Sequence, residues 1–148
     1  MSTKPLPGFP NPIVDIIGKI WTLPNTLVGI LYGILGHILG WLQGTNPTIS
    51  VGNNAIQFQN NPITQNGAAF TLGNTVHYSE QSYPDKMGAY GNPDVNVGLH
   101  EAAHTYQYQV LGILFLPVYL ILGGANKNNR LEQAAQRYAT HEGSWWPW

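Results

Sequence analysis

Two apolar stretches flank a polar, alternating middle, a pattern that predicts helices at both ends and a small sheet between them. Residues 1–12 form a Pro/Gly-rich arm that reads as extended chain, and Ile13 to Ile20 is a short apolar segment after it. Leu27 to Leu42 is apolar nearly all round, with His37 as its one ionisable side chain. Gly29, Gly33, Gly36 and Gly40 recur there at spacings of four, three and four. They therefore share one helical face, where another element can approach closely. From Thr48 the pattern shifts to period two. Thr48 to Val51 and Ala55 to Gln59 read as strands around Gly52-Asn53-Asn54, and Ala68 to Leu72 and Thr75 to Ser79 as a hairpin across Gly73-Asn74. Gly67, Pro84, Gly88, Gly91 and Pro93 mark a long polar loop. Asp94 is placed to cap a helix running from about Val95 to about Val110. Val110 to Leu122 is apolar but broken by Pro117, which predicts a buried loop and helix, and a last helix is expected over Arg130 to Thr140.

The expectation is one α+β domain. It has an arm (1–12), an apolar helical region (13–45) and a core (46–148) in which a small antiparallel sheet precedes two helices. Charged residues are only 9% of the 148, against about a quarter in typical soluble domains. Asn, Gln, Gly, Ser and Thr supply the polarity instead. A net charge of −1 with scattered Lys and Arg argues against nucleic-acid binding. No cysteine is present, so disulfides and thiolate ligands are excluded. The proline-rich start from Met1 to Pro7 does not read as a cleavable signal, so work outside the cell would need another delivery route. A membrane span needs about twenty apolar residues. The run ending at Leu42 is slightly short and headed by Pro24 and Asn25, so both core packing and membrane contact through residues 20–42 stay open.

The chemistry concentrates at His100-Glu101-Ala102-Ala103-His104. HExxH on a helix sets two imidazoles one turn apart on the same face, where both can hold one Zn²⁺. The glutamate between them can take a proton from water at the metal and pass it to a leaving amine. A strand-rich segment upstream is what a zincin cleft requires, because an edge strand beside the metal pairs with extended substrate. Asn74 to Ser79 is the natural candidate for that edge.

A catalytic zinc takes three protein ligands. Position 110, where a third histidine would extend the motif, is Val110. Downstream, Glu132, His141 and Glu142 are the strong ligands on offer, with His77, Glu80, Asp85 and Asp94 upstream. Glu132, on a second helix antiparallel to the first, is the expected third ligand, the gluzincin solution. It also fits a capping box with Asn129, the competing assignment. His141 lies nine positions further, opposite Glu132 around a helix. A developing oxyanion needs a donor besides the metal. His141 and Tyr138 are the first choices, ahead of Tyr106 and His77. Tyr106 and Tyr108 read better as packing residues, and Gln136 as a partner that orients a ligand histidine.

Trp21-Thr22-Leu23-Pro24-Asn25-Thr26 with Gly29, then Asn54-Ala55-Ile56, Thr71-Leu72-Gly73-Asn74, His100-Glu101 through His104-Thr105 with Gln107, Leu111-Gly112 and Leu116-Pro117 together form a recognisable series. From about Trp21 to Trp148 the chain resembles the small zinc-metallopeptidase toxin domains at the C-termini of bacterial polymorphic toxins, including rearrangement-hotspot (Rhs) effectors. That resemblance implies a zincin-like fold, hydrolysis of peptide bonds, delivery by a secretion system and a cognate immunity protein. It carries over His100 and His104 as ligands, Glu101 as base and Glu132 as third ligand. Related zincins often place an aspartate one turn after that ligand, where this chain has Gln136. Two other classes compete: a membrane-interacting protein that uses its glycine-seamed helix as pore or anchor, and a zinc-stabilised binding module without turnover.

Overall fold

Asn11 starts the first helix, its side chain accepting from the Ile13 amide at 2.9 Å with Pro12 in the first turn. The computed structural model describes residues 7–148; residues 1–6, half of the expected arm, lie outside the described residues. Helix α1 (Pro12–Trp21) leads through Thr22 into α2 (Leu23–Gln43), which stops at Gly44 in the left-handed conformation. The buried positions of α2 are Thr26 and the four seam glycines. Gly29 and Gly33 lie on the sheet, Thr26 on its Gly73 turn, and Gly36 and Gly40 on the segments that flank the first hairpin. A Cβ at Gly33 would come within 2.5 Å of the Phe58 ring, and one at Gly36 within 2.2 Å of Asn61, so only glycine permits this contact. The opposite face, including Leu27, Leu31, Leu35 and Ile38, is exposed.

The sheet comprises β1 (Thr48–Gly52), β2 (Ala55–Gln59), β3 (Ala69–Leu72) and β4 (Thr75–Tyr78) in the order β1-β2-β4-β3. Asn53 and Asn54 both take positive φ in the first hairpin, as a tight primed turn requires. The expected antiparallel sheet is instead mixed, because β2 pairs with β4 in parallel, Ile56 opposite Thr75. Residues 60–68 carry the chain past the centre to the far edge, and the turn at Gly73-Asn74 brings it back into the gap. The strand expected at the edge, Asn74 to Ser79, is therefore central, and β3 is the edge.

His77 on β4 is fully buried between sheet and α2, stacked on Phe58 and edge-on to Tyr32. The Thr75 hydroxyl donates to the Leu72 carbonyl, so it must accept from His77 Nε2, and Nδ1 has no partner. Burial holds the imidazole at about 4, below its ordinary 6.5. Between those values the unfolded chain binds a proton that the folded chain refuses, so stability falls as pH falls through that window. At about 1.4 kcal/mol per unit, the loss is on the order of 3 kcal/mol. Between pH 7.5 and 4.5 the parent should lose more stability in urea unfolding than His77→Phe does, the difference being this amount, because the other titrating groups are common to both. Equal losses would assign the acid sensitivity elsewhere.

The segment read as a polar loop contains a second hairpin, β5 (Met87–Ala89) with β6 (Asn92–Asn96), masked in the sequence by its glycines and Pro93. Because Asp94 and Val95 belong to β6, helix α3 (Val97–Leu111) starts later than expected. Asn96 rather than Asp94 caps it, accepting from the Leu99 amide at 2.8 Å. A 3-10 turn (Gly112–Leu114) leads to α4 (Phe115–Ile121), with Pro117 in its first turn where no intrahelical donor is required. Only Phe115 of α4 is fully buried; Leu116, Leu120 and Ile121 are exposed, contrary to the buried segment expected. Helix α5 (Arg130–Ala139) packs on α3 through Ala102, Ala103 and Ala135, whose small side chains bring the two helices close. The architecture is α+β.

Candidate metal centre

That close approach puts α5 within reach of the HExxH face of α3. Gln107 donates to the Leu131 carbonyl and Gln136 reaches His100, so the helices run antiparallel. Asn129 caps α5 by accepting from the Leu131 amide, while the Glu132 carboxylate turns to the histidines. Glu132 Oε2 lies 2.9 Å from His100 Nε2 and 3.3 Å from His104 Nε2, and the two Nε2 atoms are 3.2 Å apart. All three residues are buried.

The neighbouring amides determine what these nitrogens can do. Gln107 Nε2 donates to two carbonyls, Leu131 at 3.0 Å and Trp145 at 2.8 Å. A carbonyl only accepts, so Gln107 Oε1 faces His104 Nδ1 at 2.9 Å and that nitrogen carries a proton. Gln136 Nε2 likewise donates to the Ala89 carbonyl, which sets its Oε1 against His100 Nδ1 at 3.0 Å. Both imidazoles thus point Nε2 lone pairs, or a proton, at one carboxylate oxygen. A divalent cation relieves this crowding of acceptors. Zinc bonds of about 2.0–2.1 Å in a tetrahedron set ligand atoms about 3.3 Å apart, close to the separations found here. Two imidazoles and a carboxylate are a donor set suited to zinc. The residues fit the ion.

Burial alone would lower His104, but the Glu132 carboxylate raises it to about 9. Burial opposes ionisation of Glu132, yet the His104 and His100 rings outweigh it and hold that carboxyl well below its usual range. Tyr119 of α4 donates to Glu132 Oε1, leaving Oε2 for the histidines. Burial and the adjacent carboxylate push its phenol far up, so it stays a donor. The sequence assigns no role at this group to Gln107 or Tyr119, though both leave a trace in it. Gln107 is three residues after His104 on the same helix, and Tyr119 is the sole polar side chain from Val110 to Ala125.

Glu101 is buried beside these three residues, and the Thr71 hydroxyl on edge strand β3 donates to its Oε2 at 2.6 Å. A cavity of about 520 Å³ opens over His100, Glu101, His104 and Glu132, walled by Phe70, Leu72, Tyr90, Phe115 and Leu116. The structure does not bring the first-choice oxyanion donors into it. Tyr138 packs on Tyr106 near the C-terminal tail, and His141 is exposed beyond the end of α5. Tyr138, six positions after Glu132, falls well round the helix from it, and His141 follows the helix end with positive φ. Tyr106 stacks with Trp145 away from the cavity, and His77 is enclosed behind the sheet. No protein-family model, curated protein or solved structure matches the chain.

Proposed function

We propose that this chain is a zinc-dependent peptidase with a zincin-like core. The observation that supports it best is the convergence of His100, His104 and Glu132 in one open cavity with Glu101 beside them. When bound, zinc supplies Lewis acidity toward water and a peptide carbonyl. The chain's own residues do the rest. Glu101 accepts a proton from water and returns it to the leaving amine, with its carboxylate held in place by Thr71. Gln107 and Gln136 orient the imidazoles, and Tyr119 orients Glu132. Strand β3 pairs with β4 on one side only, so its other edge can take an extended peptide along the cavity. The apolar walls favour neutral or hydrophobic side chains in that peptide.

The resemblance to polymorphic-toxin peptidases extends this reading to an antagonistic bacterial effector, delivered by a secretion system and neutralised by an immunity protein. Zinc-loaded protein should cleave denatured protein substrates, stop with a chelator and resume when zinc is restored. Stoichiometric zinc without cleavage of any substrate would favour the binding module.

Membrane contact is a second reading with its own observation. No Asp, Glu, Lys or Arg lies between Lys19 and Glu80. The exposed faces of α1 and α2 are apolar; Leu31 is 70% and Trp41 74% exposed. The two helices and the 3-10 turn before α4 touch one another, and Ile121 at the end of α4 is 84% exposed. Helix α2 is long and apolar enough to cross a membrane, but its glycine face is engaged on the sheet, which favours lying in the interface. The full chain should float with phosphatidylethanolamine–phosphatidylglycerol vesicles, and Leu31→Glu with Leu35→Glu should abolish flotation. Parent protein that stays at the bottom of the gradient removes this reading and leaves the peptidase untouched.

A further inference from the structure

The cavity holds one tyrosine whose backbone is set against its own residue type. Tyr90 and Gly91 form the two-residue tip of the β5–β6 hairpin, with φ of 50° and 78°. Positive φ at both central positions is the turn that favours Asn-Gly. Tyrosine at the first of them is a conformational outlier, and such outliers gather at functional sites. Its side chain leans into the cavity, 45% exposed, with the ring centroid 6.1 Å from that of His100. The Glu132 and Glu101 carboxylates are close enough to act on its phenol.

The hairpin is also fastened to the site. Gln136 holds His100 through its oxygen and donates through its nitrogen to the carbonyl of Ala89, the residue before Tyr90. One amide thus sets the position of both the ligand histidine and the hairpin tip. The two other tyrosines of the cavity wall are not available to substrate in the same way. Tyr119 is committed to Glu132 Oε1, and Tyr108 is fully buried against Phe115.

We infer that Tyr90 is the catalytic hydrogen-bond donor to the substrate carbonyl oxygen as that oxygen gains negative charge. The inference rests on the peptidase reading and supplies the donor that Tyr138 and His141 do not. The phenol keeps its proton throughout and only its hydrogen bond strengthens. Burial, with the Glu132 and Glu101 charges nearby, raises the phenol so that it is protonated at any working pH.

The test compares zinc-loaded parent, Tyr90→Phe and Tyr90→Asn. Three quantities are read: zinc content, cleavage of a denatured protein, and binding of N-phosphoryl-leucyl-leucine, whose anionic tetrahedral phosphorus mimics the attacked carbonyl. Both variants should keep stoichiometric zinc. Loss of one such donor lowers kcat by about 10²- to 10³-fold with KM little changed, and the phosphoryl probe should weaken in step. Tyr90→Asn should melt no lower than the parent, because asparagine suits the turn. Tyr90→Phe that cleaves and binds the probe like the parent overturns the inference and leaves the peptidase reading intact. A variant that loses zinc would make Tyr90 structural and also overturns it. If zinc-loaded parent neither cleaves nor binds the probe, the peptidase reading fails first and takes this inference with it.

Discussion

Glu101→Gln is expected to bind zinc as the parent does and to lose peptide hydrolysis by about 10²- to 10⁴-fold, the range for removing a general acid–base group. The substitution is close to isosteric, and the amide oxygen can still accept from the Thr71 hydroxyl that holds Glu101 at 2.6 Å. Packing between β3 and α3 is therefore preserved. What disappears is the basic oxygen next to His100, His104 and Glu132. An unchanged melting temperature and zinc content, together with the fall in kcat, would separate chemistry from folding. Hydrolysis at the parental rate would place the base elsewhere and sink the assignment.

The second large effect concerns Glu132. In zinc-free protein the Glu132 carboxylate raises His104 to about 9, so at pH 7 His104 holds a proton on the nitrogen that faces the ligand group. An ion taken up there must displace that proton, so zinc affinity should rise with pH up to about 9. Titration calorimetry in buffers of different ionisation enthalpy should register about one proton released per zinc at pH 7. Glu132→Gln removes both the anionic ligand and the charge that raises His104. Breaking a buried ionic partnership costs about 3–5 kcal/mol, which corresponds to zinc binding weaker by about two to nearly four orders of magnitude. Proton release at pH 7 should shrink together with the affinity. A Glu132→Gln chain with parental zinc affinity would remove this residue from the ligand set. Zinc binding also stabilises the fold, by about 4 kcal/mol at a thousandfold excess over Kd, and the variant should forfeit most of that gain at equal zinc.

Much of this site could be read along the chain because its rules are local. Helical periodicity alone aligns His100 with His104, and alternation with turn chemistry located four of the six strands among the described residues. Antiparallel neighbours made Glu132 the reasonable third partner, although capping by Asn129 competed with it. That competition was settled only by tertiary contact. Ala102, Ala103 and Ala135 let the helices close until the carboxylate met both imidazoles.

Other features had no local signal strong enough to be read. Gly88, Gly91 and Pro93 look like loop residues, yet the segment pairs as a hairpin and carries Tyr90 into the cavity. Strand order is a property of the whole sheet. The hairpin β3–β4 was visible in sequence, but nothing within it says that β4 inserts beside β2 and leaves β3 at the edge. The placement of Tyr138 and His141 depends on the same long-range packing, since Tyr138 shares the helix of Glu132 but not its direction and His141 lies past the helix end, so neither lines the cavity.

For this protein the sequence by itself determined residue identity, local period and turn type, and hence the HExxH helix and the glycine seam. Tertiary structure decided which strand borders the cavity, that the seam packs on the sheet and its flanking segments, and which amides and phenols reach His100, His104 and Glu132. The division has a physical cause. Helix and turn preferences act over a few residues, whereas strand order and helix approach depend on burying surfaces from distant parts of the chain at once.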